Sequence, residues 1–183
     1  MDFGPQYWWH QDGRPYQRGA FLGTSFQTRS DWGIGINVNH NRFDDQTDRT
    51  VGFNITSGVS NRFKSYGIDF STGTQGGAPT RFFGPKFSVR VLKRLDLIYQ
   101  GGLQQQKGWN RQNIATFNYQ FSGTRTLGGR VVSLTEPGKA PATNWYVSYR
   151  NAGGAGTEIY FLFGDPNART FTPRAAVKLI FAR

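Results

Sequence analysis

Cysteine is absent from this 183-residue chain and methionine occurs once. Neither a disulfide framework nor a thiolate metal site can form, and the redox compartment is not encoded. The two histidines, His10 and His40, lie far apart and outside any metal-ligand spacing. No run of about 20 apolar residues occurs, which excludes a transmembrane helix. The opening Met1-Asp2-Phe3-Gly4-Pro5 has neither the basic start nor the apolar run of a secretory leader. The expectation is that a leader has been removed or that the chain belongs to a longer one.

Charge is also scarce, at 18% against about 25% in an ordinary domain. In its place stand 24 glycines, 16 phenylalanines, 8 tyrosines and 5 tryptophans, at a mean hydropathy of -0.56. A chain this aromatic yet polar on average must segregate the two classes by face or by height. Its net charge of +11 would attract nucleic acid, lipopolysaccharide or anionic headgroups without choosing among them.

The dominant period is two. Trp32, Ile34, Ile36 and Val38 alternate with Gly33, Gly35, Asn37 and Asn39, a strand with one apolar and one polar face. The pattern returns at Tyr66 to Phe70, Phe87 to Val91, Leu95 to Tyr99, Ala115 to Phe121, Trp145 to Tyr149, Ile159 to Phe163 and Ala175 to Phe181. Weaker runs lie at 16–28, 51–56 and 126–134. Turn residues separate them at Asp12-Gly13, Asp44-Asp45, Gly73 to Pro79, Glu136-Pro137-Gly138 and Asp165-Pro166-Asn167, and the phase changes at Leu92-Lys93-Arg94.

These runs predict an all-β fold, an antiparallel meander of about 8–10 strands in one domain over residues 1–183, because the connections are too short for parallel crossovers. Trp32, Tyr66, Tyr99, Trp145 and Tyr149 near the ends of runs suggest aromatic girdles, so the expected form is a transmembrane β-barrel or the carboxy-terminal part of a larger one. That predicts the bacterial outer membrane as location, outer-membrane lipid and lipopolysaccharide as partners, and a scaffold or passive conduit as role. The alternative is a soluble barrel or sandwich that binds a small ligand or a partner protein.

Asp12-Gly13-Arg14, Leu22 to Gln27 followed by Trp32, and the closing Asn144 to Arg150, Glu158 to Phe163 and Val177 to Phe181 carry a resemblance. The chain resembles the carboxy-terminal barrel region of a bacterial outer-membrane protein family of unassigned function. In that family the barrel follows a periplasmic domain similar to family-9 carbohydrate-binding modules. The resemblance implies an anchor for such a glycan-binding domain, which would belong to the same longer chain and is absent here.

No catalytic residue, cofactor site or metal site is predicted. Asp44, Asp45 and Asp48 sit in one polar loop but lack the glycine and glutamate of a helix-loop-helix calcium site. Gly73 to Gly77 and Gly153 to Gly156 lack the lysine and strand-to-helix context of a phosphate loop. Arg62, Lys64, Arg81, Lys86, Arg90, Lys93 and Arg94 make the middle basic, with Phe87 and Tyr99 as stacking candidates, yet no nucleic-acid-binding module accompanies them.

Overall fold

The computed structural model describes residues 2–9, 15–43, 46–61, 63–153 and 157–181. They form β1 (Asp2–Trp9), β2 (Pro15–Gln27), β3 (Trp32–Phe43), β4 (Gln46–Ser57), β5 (Lys64–Gln75), β6 (Ala78–Val91), β7 (Leu95–Gln105), β8 (Trp109–Gln120), β9 (Arg125–Thr135), β10 (Ala142–Ala152), β11 (Thr157–Phe163) and β12 (Ala175–Phe181). The strands hydrogen-bond in sequence order into a single 12-stranded sheet, with β1 and β12 at its two ends. By contacts the chain divides into two compact units, Met1–Pro85 with Gly102–Asn110, and Lys86–Gly101 with Arg111–Arg183.

The antiparallel meander is therefore present, with 12 strands where 8–10 were expected. The barrel is not: the sheet is open, and the expectation of a closed transmembrane barrel or part of one is corrected. Closure requires the first and last strands to pair, and the strand order ends at β1 and β12.

The register explains the alternation. Ile36 pairs with Phe53 and Val38 with Val51, while Phe53 pairs with Phe70 and Ile55 with Ile68. In the second unit Val131 pairs with Trp145, Tyr149 with Phe161, and Phe161 with Val177. A one-residue slip at any of these pairs would turn a strand's apolar residues to the opposite face. In the ladders of β2 to β5 the alternating apolar residues thus share one face.

Glycines on the polar face are seats for neighbouring side chains. A Cβ on Gly52 would overlap the Asn37 amide, and one on Gly35 the Asn54 amide. On the apolar face of the second unit, Gly129 is covered in the same way by the ring of Phe117, its cross-strand partner. Omitting the side chain lets the bulkier partner lie flat across the ladder, which offsets the entropy that glycine costs a strand.

Two hairpin turns show opposite chemistry. Gly76 and Gly77, both at positive φ, join β5 to β6 as a two-residue turn that glycine adopts freely. The turn from β6 to β7 instead places Leu92 at φ 54 and Lys93 at φ 57, where a side chain costs roughly 1–2 kcal/mol per residue. Leu92 is 80% exposed, so its removal forfeits little packing. Replacing Leu92-Lys93 by Asn-Gly is expected to stabilise the fold by about 1–2 kcal/mol, read as a higher urea midpoint at unchanged slope.

Candidate interaction surfaces

The sheet has two chemically distinct faces and almost no dry core. Among the described residues Ala142 is the one buried hydrophobic residue. On β2 to β5, by contrast, Leu22, Phe26, Trp32, Ile36, Val38, Val51, Phe53, Tyr66, Ile68 and Phe70 are each more than a third exposed. At on the order of 80 Å² apiece they present roughly 800 Å², the share one partner gives to an ordinary protein interface. Beyond them on the same face, toward the β3–β4 and β5–β6 turns, stand Arg42, Arg49 and Arg81, all exposed. The first unit thus shows an apolar centre with three exposed arginines at one end.

In the second unit part of the apolar face is covered by the chain itself. The segment after β11 lays Phe171 on Trp145, ring centroids 4.2 Å apart and nearly parallel, with Phe163 6.0 Å from Phe171. Asn144, on the opposite face and 6% exposed, holds the same segment by donating from Nδ2 to the carbonyls of Asp165 at 2.8 Å and Ala168 at 2.7 Å. Trp145 is thereby a packing residue of this connection and not a member of a girdle.

The polar face of the first unit holds a cleft of about 440 Å³. Asn37, Asn39, Asn41, Thr50, Ser71 and Gln104 line it, with Phe43 and Phe82 as apolar walls. Gln104 Nε2 donates to Gln75 Oε1 at 3.3 Å and to Thr80 Oγ1 at 3.5 Å. Its one carboxylate, Asp48, accepts from the Gly77 amide at 3.4 Å. The cleft offers amide and hydroxyl hydrogen bonds, without an acid-base pair or a nucleophile beside a base.

Ionised groups elsewhere serve turns and ladders. Arg150 donates to Glu158 Oε1 at 2.5 Å, and the Tyr160 hydroxyl donates to Glu158 Oε2 at 2.6 Å. The Arg150 hydrogen bond, with that of Tyr160, holds the Glu158 carboxyl below its ordinary range, while accepting Glu158 pushes the Tyr160 phenol up. At the β2–β3 turn, Asp31 Oδ1 accepts from the Ser60 amide and from Gln27 Nε2, both at 2.8 Å. The Ser60 amide is the chief cause of the lowered Asp31 pKa.

The residues singled out in the sequence do not converge. His40 accepts at Nδ1 from Arg49 Nε at 3.2 Å, as its cross-strand neighbour. His10, Asp44, Asp45, Arg62 and Gly154 to Gly156 lie outside the described residues. Among the described residues no group of three or more His, Asp or Glu side chains could hold a metal ion. The basic set disperses: Lys64 lies 5.8 Å from the Tyr66 ring, Arg90 grips Asp96 at 2.6 and 2.7 Å, and Arg94 donates to the Phe121 carbonyl at 3.0 Å. Phe87 and Tyr99 stack on each other with centroids 5.4 Å apart.

The open sheet also overturns the expected outer-membrane location and the partners drawn from it, outer-membrane lipid and lipopolysaccharide. An end strand in hydrocarbon would leave its outward N–H and C=O groups unpaired at several kcal/mol each, and an open sheet encloses no lumen for a conduit. Among the described residues no helix is long and apolar enough to cross a membrane. No family model, curated protein or solved structure matches the chain, so the resemblance to an outer-membrane family gains no support from them.

Proposed function

We propose that this chain is a protein-interaction module whose apolar sheet face is completed by a different protein, one that presents an apolar surface with an acidic rim. The observation that carries this reading is the in-register apolar face of β2 to β5, exposed at about the area of a standard interface. Monomeric proteins rarely leave contiguous apolar patches beyond a few hundred Å² uncovered. Charge selects the partner. A second copy would bring another +11 to the pair, whereas acidic groups on a different protein complement the arginines at that end.

The test is photocrosslinking in the native host from a benzoyl-phenylalanine placed at position 53, compared with one at position 71 on the polar face. The expected result is one discrete heterologous adduct from position 53 alone, reduced severalfold by raising salt from about 50 to 500 mM. Adducts of doubled mass, or equal labelling from both positions, would contradict the proposal.

A further inference from the structure

The two ends of the sheet are built differently. β1 carries Pro5, which has no N–H to offer, and its register breaks between Trp8 and Trp9. Both devices hinder strand addition. β12 carries neither: its ladder to β11 runs without a shift from Thr157↔Phe181 to Phe163↔Ala175, and it contains no proline.

Hydrogen-bond parity shows which groups of β12 point away from β11. The Gly164 amide donates to the Arg174 carbonyl at 2.8 Å, and the Gly153 amide to the Thr157 carbonyl at 2.7 Å. In an antiparallel pair every second residue turns its N–H and C=O toward the neighbouring strand. Counting from the first bond, 176, 178 and 180 face β11. Counting from the second along β11, 158, 160 and 162 face β12, and their partners are again 180, 178 and 176. The amides and carbonyls of Ala175, Val177, Leu179 and Phe181 therefore point away from the sheet. The side chains of Val177, Leu179 and Phe181 are 62%, 54% and 70% exposed.

We infer that β12 is a strand-addition site for an extended segment of another protein, with apolar residues at alternate positions and an acidic residue opposite Lys178. Main-chain bonds to the outward groups would supply affinity, and the alternate side chains would supply selectivity. Lys178 decides against self-pairing. An antiparallel match of two β12 strands over their full length sets Lys178 directly opposite its own copy, a like-charge pair at the closest cross-strand spacing. An acidic residue there reverses the sign. This inference depends on backbone groups at an edge and not on the apolar face, so either can fail while the other stands.

The experiment is residue-resolved hydrogen exchange on the whole chain, with and without an eight-residue peptide that alternates valine and threonine around a central glutamate. In the free chain the Val177 and Leu179 amides are expected to exchange at least tenfold faster than Lys178 and Ile180, and saturating peptide to slow them at least tenfold. Leu179→Pro removes an outward donor only, so it should keep the β11–β12 ladder and abolish the peptide effect. Slow exchange at 177 and 179 in the free monomer would overturn the inference. So would slow exchange that accompanies dimer formation, a peptide without effect, or peptide protection that survives Leu179→Pro.

Discussion

Asn144→Asp is expected to destabilise the fold by about 3–5 kcal/mol near neutral pH. Asn144 Nδ2 supplies the only donors that the side chain directs to the Asp165 and Ala168 carbonyls, and the residue is almost fully buried. The isosteric carboxylate removes both hydrogen bonds and sets a negative charge against two carbonyl dipoles, costs that burial magnifies. The effect should depend on pH. A carboxyl so placed binds its proton more tightly folded than unfolded, so the variant is least impaired below the ordinary carboxylate range and loses stability as pH rises through the raised folded pKa. Because Asn144 holds the segment that carries Phe171, loosening it should also unstack Phe171 from Trp145. Chemical denaturation from pH 3 to 7, with tryptophan fluorescence as a second readout, checks both effects.

Gly58→Val is expected to cost about 3 kcal/mol. Gly58 sits at φ +74, and a Cβ there would overlap the Lys64 carbonyl oxygen, a backbone atom that cannot swing aside. A β-branched residue adds the left-handed penalty of roughly 1–2 kcal/mol to overpacking of roughly 1–3 kcal/mol. The damage should reach the neighbouring turn, since the Gly58 amide donates to the Asp31 carbonyl at 2.9 Å and Asp31 in turn receives the Ser60 amide. A drop in urea midpoint of roughly 1–1.5 M is the expected observation.

Most of the strand pattern was legible because period two is written directly into side-chain polarity. Trp32 to Val38, Tyr66 to Phe70 and Ile159 to Phe163 each fall within one strand, and in the first two the apolar residues share one face. β1 escaped notice because Pro5 and the consecutive Tyr7-Trp8-Trp9 give no alternation. Closure was misread for a deeper reason. An open sheet and a barrel share the same alternation, and the difference lies in whether the first and last strands pair, which no local window contains. The girdle reading of Trp145 failed similarly, since its partner Phe171 is 26 positions away and arrives through a connection whose only signal was the turn at Asp165-Pro166-Asn167. Asn144 was visible only as one more polar residue on an alternating strand. Its role as a clamp depends on where the chain goes after β11.

The apolar face of β2 to β5 is left uncovered by the chain's own fold. Hydroxyl-radical footprinting of the isolated, monomeric chain tests it most directly. Phe53, Ile68 and Phe70 are expected to react, after correction for intrinsic reactivity, several times faster than Trp145, which Phe171 covers. Protection of all three to the level of Trp145 in the monomer would contradict this, because the chain would then cover the face itself.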